Sequence, residues 1–196
     1  MLFWIMFVIA FLPLFLIFPI KKVGKKNLKS LKKQNYIVAC NHMSNLDAPM
    51  LDITFKKKHY FLAKKELFKN KFASAFYRCI GAVRVDRQKV EPSSIKEILR
   101  LINKGKHICI FPQGTRAKTP VIEDGSAKEG VAMFAIRTNT PVVPMMYSKK
   151  IKAFRRTKLF IGEPLYPDPT RKGDKAYMAE FADLIVSKMN ELLKGE

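Results

Sequence analysis

The sequence predicts an α/β fold: a single domain with a mostly parallel or mixed central sheet flanked by helices, preceded by an N-terminal hydrophobic membrane helix. Three observations carry that expectation. From residue 36 onward, short apolar runs alternate with amphipathic helical patterns, the arrangement that packs helices onto a sheet. Residues 1–20 contain no charged side chain and are almost wholly apolar. Polar motifs then fall where apolar runs end, and strand ends are where α/β domains carry their sites.

Taken in order, twenty residues of helix reach roughly 30 Å, the hydrocarbon thickness of a bilayer, so 1–20 reads as a membrane anchor. A secretory signal would show a basic start and small residues before a cleavage site, and this stretch has neither. Pro13 and Pro19 each remove a helix hydrogen bond and leave both a spanning and a partly embedded arrangement open. Residues 21–35 read as a basic juxtamembrane segment, with seven lysines and no acid between 21 and 33. That bias predicts the cell membrane as location with the following domain on the cytoplasmic face, and it attracts anionic headgroups.

The domain proper is expected over 36–196. Candidate strands lie at 36–40, 59–63, 82–85, 107–111, 142–147 and 158–161, each a short apolar run. Ile95, Ile98, Leu99 and Ile102 follow the spacing of one helix face, with Pro92 suited to its first turn. Val131, Phe134, Ala135 and Thr138 repeat the spacing, and Met178, Phe181, Ala182, Ile185, Met189 and Leu192 form a long amphipathic face near the end.

With 37 basic and 16 acidic residues the net charge is +21, which points to an anionic partner. Nucleic acid is disfavoured, because no stacking-aromatic pattern interleaves the basic residues and no helix-turn-helix, zinc-finger or RNP-like motif is present. Cys40, Cys79 and Cys109 are widely spaced in apolar surroundings, so they are expected to be reduced, buried and inert.

The chemistry centres on residues 37–47, Ile-Val-Ala-Cys-Asn-His-Met-Ser-Asn-Leu-Asp. An apolar run delivers His42 onto a polar loop, and Asp47 follows where the chain is ready to turn into a helix. Histidine titrates near neutrality, and a neighbouring carboxylate makes it a useful general base. Such a pair alone arises readily by chance. Further polar ends come at Arg87, closing Gly-Ala-Val-Arg-Val-Asp-Arg, at 111–116, Phe-Pro-Gln-Gly-Thr-Arg, and at 141–145, Pro-Val-Val-Pro-Met. Glycine admits a close ligand, and arginine presents a planar fork of donors to phosphate oxygens. His59 follows three lysines, which oppose formation of an imidazolium. His107 opens a strand as an edge residue, and Asp52 is expected to be structural or exposed. One histidine and one aspartate are too few ligands for a zinc centre, so no metal is expected.

In this order the motifs resemble those of the glycerolipid acyltransferases, most closely the type acting on 1-acyl-glycerol-3-phosphate. The resemblance rests on Asn41-His42 with Asp47, 81–87, 111–116, Lys128 with Gly130, and Pro141-Val-Val-Pro144, spread over about 36–147. It implies that His42 is the general base, oriented by Asp47. It places Arg87, Arg116 and Lys128 around the acceptor phosphate, Asn41, Gln113, Gly114 and Thr115 on the acceptor or oxyanion loop, and Pro144 on the acyl side. Two positions depart from the pattern: Arg84 stands where a large apolar residue is usual, and Gln113 where the family has glutamate. The implied reaction moves an acyl chain from acyl-CoA or acyl-acyl carrier protein to the sn-2 hydroxyl of a lysophospholipid acceptor, giving phosphatidic acid, with no cofactor. Gln113 motivates an alternative lysolipid acceptor, and a non-catalytic membrane-anchored lipid-phosphate-binding protein is the reading of a different class.

Overall fold

The strands form one sheet whose two faces are both covered: β1 (Ile20–Val23), β2 (Ile37–Cys40), β3 (His59–Lys64), β4 (Ala82–Val85), β5 (His107–Ile110), β6 (Val142–Tyr147) and β7 (Thr157–Ile161). The computed structural model describes residues 12–85, 92–123 and 129–194. Strand order is β1-β7-β6-β2-β5-β3-β4. Pairing is parallel except between β6 and β7, so the sheet is mixed and mostly parallel. Buried on both sides, β2 is an unbroken apolar run, as a central parallel strand requires.

Alternation along β2 divides the core. Ile37 and Ala39 face α4 (Pro92–Asn103), α5 (Gly130–Thr138) and α6 (Lys175–Lys194). Val38 and Cys40 face α2 (Asp47–Phe55) and the 3-10 turn at Lys25–Leu31, where Leu31 is buried. The remaining helices are α1 (Leu12–Ile17) and α3 (Lys71–Cys79). The chain therefore leaves β2 towards one face and leaves β5 towards the other. A crevice opens at the carboxyl ends of these neighbours, the switch point where ligands of open α/β sheets bind.

All six expected strands and all three expected helices form. Three points differ from the expectation. The apolar run 1–20 does not continue as a helix to its end: α1 stops at Ile17 and Ile20 already pairs with Thr157. Pro19 is the physical reason, since it disfavours helix at the residue before it and cannot donate to the preceding turn. Residues 1–11 of the expected anchor lie outside the described residues, among which no helix is long and apolar enough to cross a membrane. The sheet also reaches back into 21–35, since β1 and Leu31 belong to the same folded unit. Third, Cys40 and Cys109 are buried as expected, but Cys79 is half-buried.

Candidate active site

His42 stands two residues beyond β2, and Asp47 is the first residue of α2. Their side chains meet, with His42 Nδ1 2.9 Å from Asp47 Oδ2. The same oxygen accepts the backbone N–H groups of Met43 and Ser44, both at 2.7 Å. Two backbone N–H groups, the imidazole and the N-terminal end of a helix thus converge on one carboxylate oxygen and fix its position. A carboxylate oxygen accepts, so a proton shared between the two side chains sits on His42 Nδ1 and Nε2 is the ring nitrogen turned away from Asp47. Asp47 is fully buried, whereas the His42 side chain keeps 14% exposure. Stacking on Phe111, at 4.2 Å between ring centroids, holds the imidazole from the other side.

The loop beneath is pinned. Asn41 is completely buried; its amide donates to the carbonyls of Tyr147 and Pro120 and accepts from the Tyr147 N–H at 2.8 Å. The Tyr147 hydroxyl donates to the Asp47 carbonyl. The Asn41 side chain is thus engaged with backbone groups. Gln113 Oε1 accepts the backbone N–H of His42 at 3.0 Å, and Ala117 N–H donates to the His42 carbonyl at 2.8 Å. Gly114 turns the chain with φ 67°, and its N–H donates to the Phe111 carbonyl. It bends the loop rather than offering a free oxyanion donor.

A cavity of about 860 Å³ opens at His42. One wall is apolar, with Met43, Phe61, Phe76, Tyr77, Ile80 and Phe111. Cations stand along the rest: Arg116, as expected, with Lys64, Lys118 and Lys150, which the sequence reading missed. Thr115 lines it as well. Lys64 closes β3 and Lys150 follows β6, so strand-end position was the signal that would have singled them out. Arg87 and Lys128 lie outside the described residues.

Pro144, expected on the acyl side, does not line this cavity. It pairs with Ala39, whose side chain belongs to the opposite face, and its ring fills the space beside Gly162, where a Cβ would come within 2.7 Å of it. Arg84 points to solvent. His59 is buried, with Nδ1 2.8 Å from Asp52 Oδ1. Asp52 is therefore structural rather than exposed, the carboxylate preceding its histidine on α2. Burial raises the Asp52 carboxyl above the usual carboxylate range, and it pushes the Cys40 and Cys109 thiols well up, leaving neither cysteine suited to nucleophilic attack. Among the described residues no group of three metal-ligating side chains is present.

Residues 19–148 match the family model described as Acyltransferase. A relative from Bacillus subtilis (strain 168), described as 1-acyl-sn-glycerol-3-phosphate acyltransferase, is 32% identical over 180 residues, 88% of this chain and 87% of its own. A Saccharomyces cerevisiae protein of the same description is 30% identical, covering 89% of this chain and 60% of that one. Among solved structures, the 1-acyl-sn-glycerophosphate (LPA) acyltransferase PlsC from Thermotoga maritima superposes with a TM-score of 0.68 at 25% identity, covering 90% of this chain and 73% of its own. The chain's ordered motifs, its histidine–aspartate pair at a sheet switch point and this family match agree: the chain belongs to the acyltransferase family.

Proposed function

We propose that this protein moves a fatty acyl chain from a thioester donor to the sn-2 hydroxyl of 1-acyl-glycerol-3-phosphate, giving phosphatidic acid at the cytoplasmic face of a membrane. The observation that carries the reading is the His42–Asp47 contact of 2.9 Å at the mouth of a cavity with one apolar wall and a cationic rim. Such a cavity suits an acceptor with an acyl chain at one end and a phosphate at the other.

His42 Nε2 takes the hydroxyl proton as the glycerol oxygen attacks the thioester carbonyl. The carbon–oxygen ester bond forms, the carbon–sulfur bond breaks, and the departing thiolate takes the proton back from the imidazolium. Asp47 stabilises that imidazolium and fixes the tautomer. No covalent acyl-enzyme is required. Arg116, Lys64, Lys118 and Lys150 supply positive charge for the acceptor phosphate or for the phosphates of acyl-CoA or acyl carrier protein, with Arg87 and Lys128 assigned to the same task by motif. The apolar residues ahead of β1 are assigned to holding the enzyme at the bilayer, where its acceptor resides.

The test is turnover of lysophosphatidic acid by purified protein with each donor. His42→Ala is expected to lower kcat by about 10²- to 10⁴-fold, the usual worth of general-base catalysis, with unchanged thermal unfolding. Near-normal turnover by that variant would overturn the mechanism. Absence of phosphatidic acid with either donor would overturn the acceptor.

A further inference from the structure

Two exposed aromatics have no structural reason to be where they are. Phe72 lies in the first turn of α3 and is 90% exposed. That helix is well capped, with Asn70 Oδ1 accepting the Ala73 N–H at 2.8 Å, yet none of its residues is buried. Phe154 is 81% exposed at the tip of a tight turn closed by Arg155 N–H on the Lys152 carbonyl. Its φ is 57°, a conformation that costs any side chain with a Cβ and that turns normally give to glycine or asparagine. A bulky apolar residue there gains neither packing nor backbone ease within the chain.

Both aromatics stand on elements that meet at the active-site cavity. Phe76 and Tyr77 of α3, Lys150 of the 149–156 turn and Leu14 of α1 all line it. Phe154 N–H donates to the Ile17 carbonyl at 2.6 Å, so the turn is joined to α1, where Leu16 is 76% exposed. Charge marks the surface as well. Residues 149–156 hold five cations and no acid, and Lys69 and Lys71 flank the start of α3. Aromatic side chains set among cations, beside a cavity that accepts a lipid, have the chemistry of a headgroup-level contact with an anionic bilayer.

We propose that α3 and the 149–156 turn are membrane contacts in their own right, carrying Phe72 and Phe154 into the headgroup region of an anionic bilayer beside the cavity mouth. The inference rests on the reading that the enzyme works on a bilayer-resident acceptor. It adds contacts from the catalytic domain itself to those of the N-terminal apolar residues, and it orients the cavity so that an acceptor enters from the leaflet without crossing water.

The only tryptophan is Trp4, so Trp4→Phe gives a silent background for single reporters. Phe72→Trp, Phe154→Trp and, as a control on the exposed side of α6, Leu184→Trp are each placed in the full chain and reconstituted into phosphatidylglycerol vesicles containing brominated phosphatidylcholine. Emission from the first two is expected to fall roughly twofold against unbrominated vesicles, since bromine quenches only at bilayer depth, and the control should not change. Replacing phosphatidylglycerol by phosphatidylcholine should weaken that quenching. If either reporter stays unquenched in vesicles that bind the protein and support turnover, the inference fails while the proposed function stands; a surface covered by a second copy would give this result. Quenching of the control to the same degree also overturns it. Failure of the full chain both to bind vesicles and to acylate overturns both proposals together.

Discussion

Gln113 shows how a departure from a family pattern is settled by one contact. Its side-chain oxygen accepts the His42 backbone N–H, and a glutamate in the same place would offer the same acceptor. The substitution therefore keeps the tie between the two loops that form the site, and it changes the charge beside the proposed base. Gln113→Met removes the acceptor and leaves an N–H unsatisfied, at a cost of about 1–3 kcal/mol. Expressed in the loop that aims His42, this should lower kcat roughly 10- to 100-fold with little change in KM for the donor. Gln113→Glu keeps an acceptor of the same reach and should retain kcat. A Met variant as active as the parent would remove the positioning role. The pairing of His42 with Asp47 was legible in the sequence because both residues lie on one short loop ahead of a helix. Asn41 and Pro144 were not, because strand alternation turns each away from the cavity while its neighbours stay near it. Lys64 and Lys150 had only their strand-end positions to mark them, and Lys118, on a loop, could not be chosen among 37 basic residues without coordinates.

At the scale of elements, expected strands survived because each is a local apolar run, while β1 depends on a distant partner. Ile20-Lys21-Lys22-Val23 reads as the charged flank of an anchor, and its pairing with β7 joins positions far apart in the chain. Lysines on an edge strand are a common protection against further pairing, and Lys22 reaches the Thr54 carbonyl at 2.8 Å, tying the edge to the end of α2. Helix α3 was passed over: its nine residues are amphipathic, yet none of them is buried in the core. The turn from α3 into β4 is made by Gly81, at φ 88°, where a Cβ would come within 2.3 Å of the His59 carbonyl oxygen. That oxygen is backbone and cannot step aside. Gly81→Ala should therefore destabilise the domain by about 2–4 kcal/mol, combining positive-φ strain with displacement of β3 from β4. Chemical denaturation would show it, and a loss below about 0.5 kcal/mol, the range of neutral surface changes, would mean that the turn relaxes freely.

Seen as a whole, the sheet has two unlike ends. The carboxyl ends of its parallel strands hold the exchangeable chemistry around His42, whereas the starts of β2, β3 and β5 bring together Tyr36, His59 and His107, with Asp52 beneath. Tyr36 and His107 rings lie 4.4 Å apart, and burial raises the Tyr36 hydroxyl to about 12. Burial, with the nearby His59, Lys57 and Lys106, lowers His107 to about 4. In the unfolded chain His107 titrates near 6.5, so between that value and 4 the unfolded state binds a proton that the folded state refuses. Its contribution to stability is thus complete above pH 6.5 and is lost as pH falls towards 4. Allowing for partial exposure, the loss between pH 7 and 5 should be on the order of 1–2 kcal/mol. Asp52, raised by burial, bends the curve the other way, so the difference between proteins isolates the histidine. His107→Phe keeps a ring against Tyr36 and removes the proton site. Its unfolding free energy, measured in denaturant at pH 7 and pH 5, should fall less than that of the parent. Equal acid sensitivity in the His107→Phe protein would place the proton uptake elsewhere. A smaller fall in the variant places the acid response at the starts of the strands, where burial excludes the proton from His107.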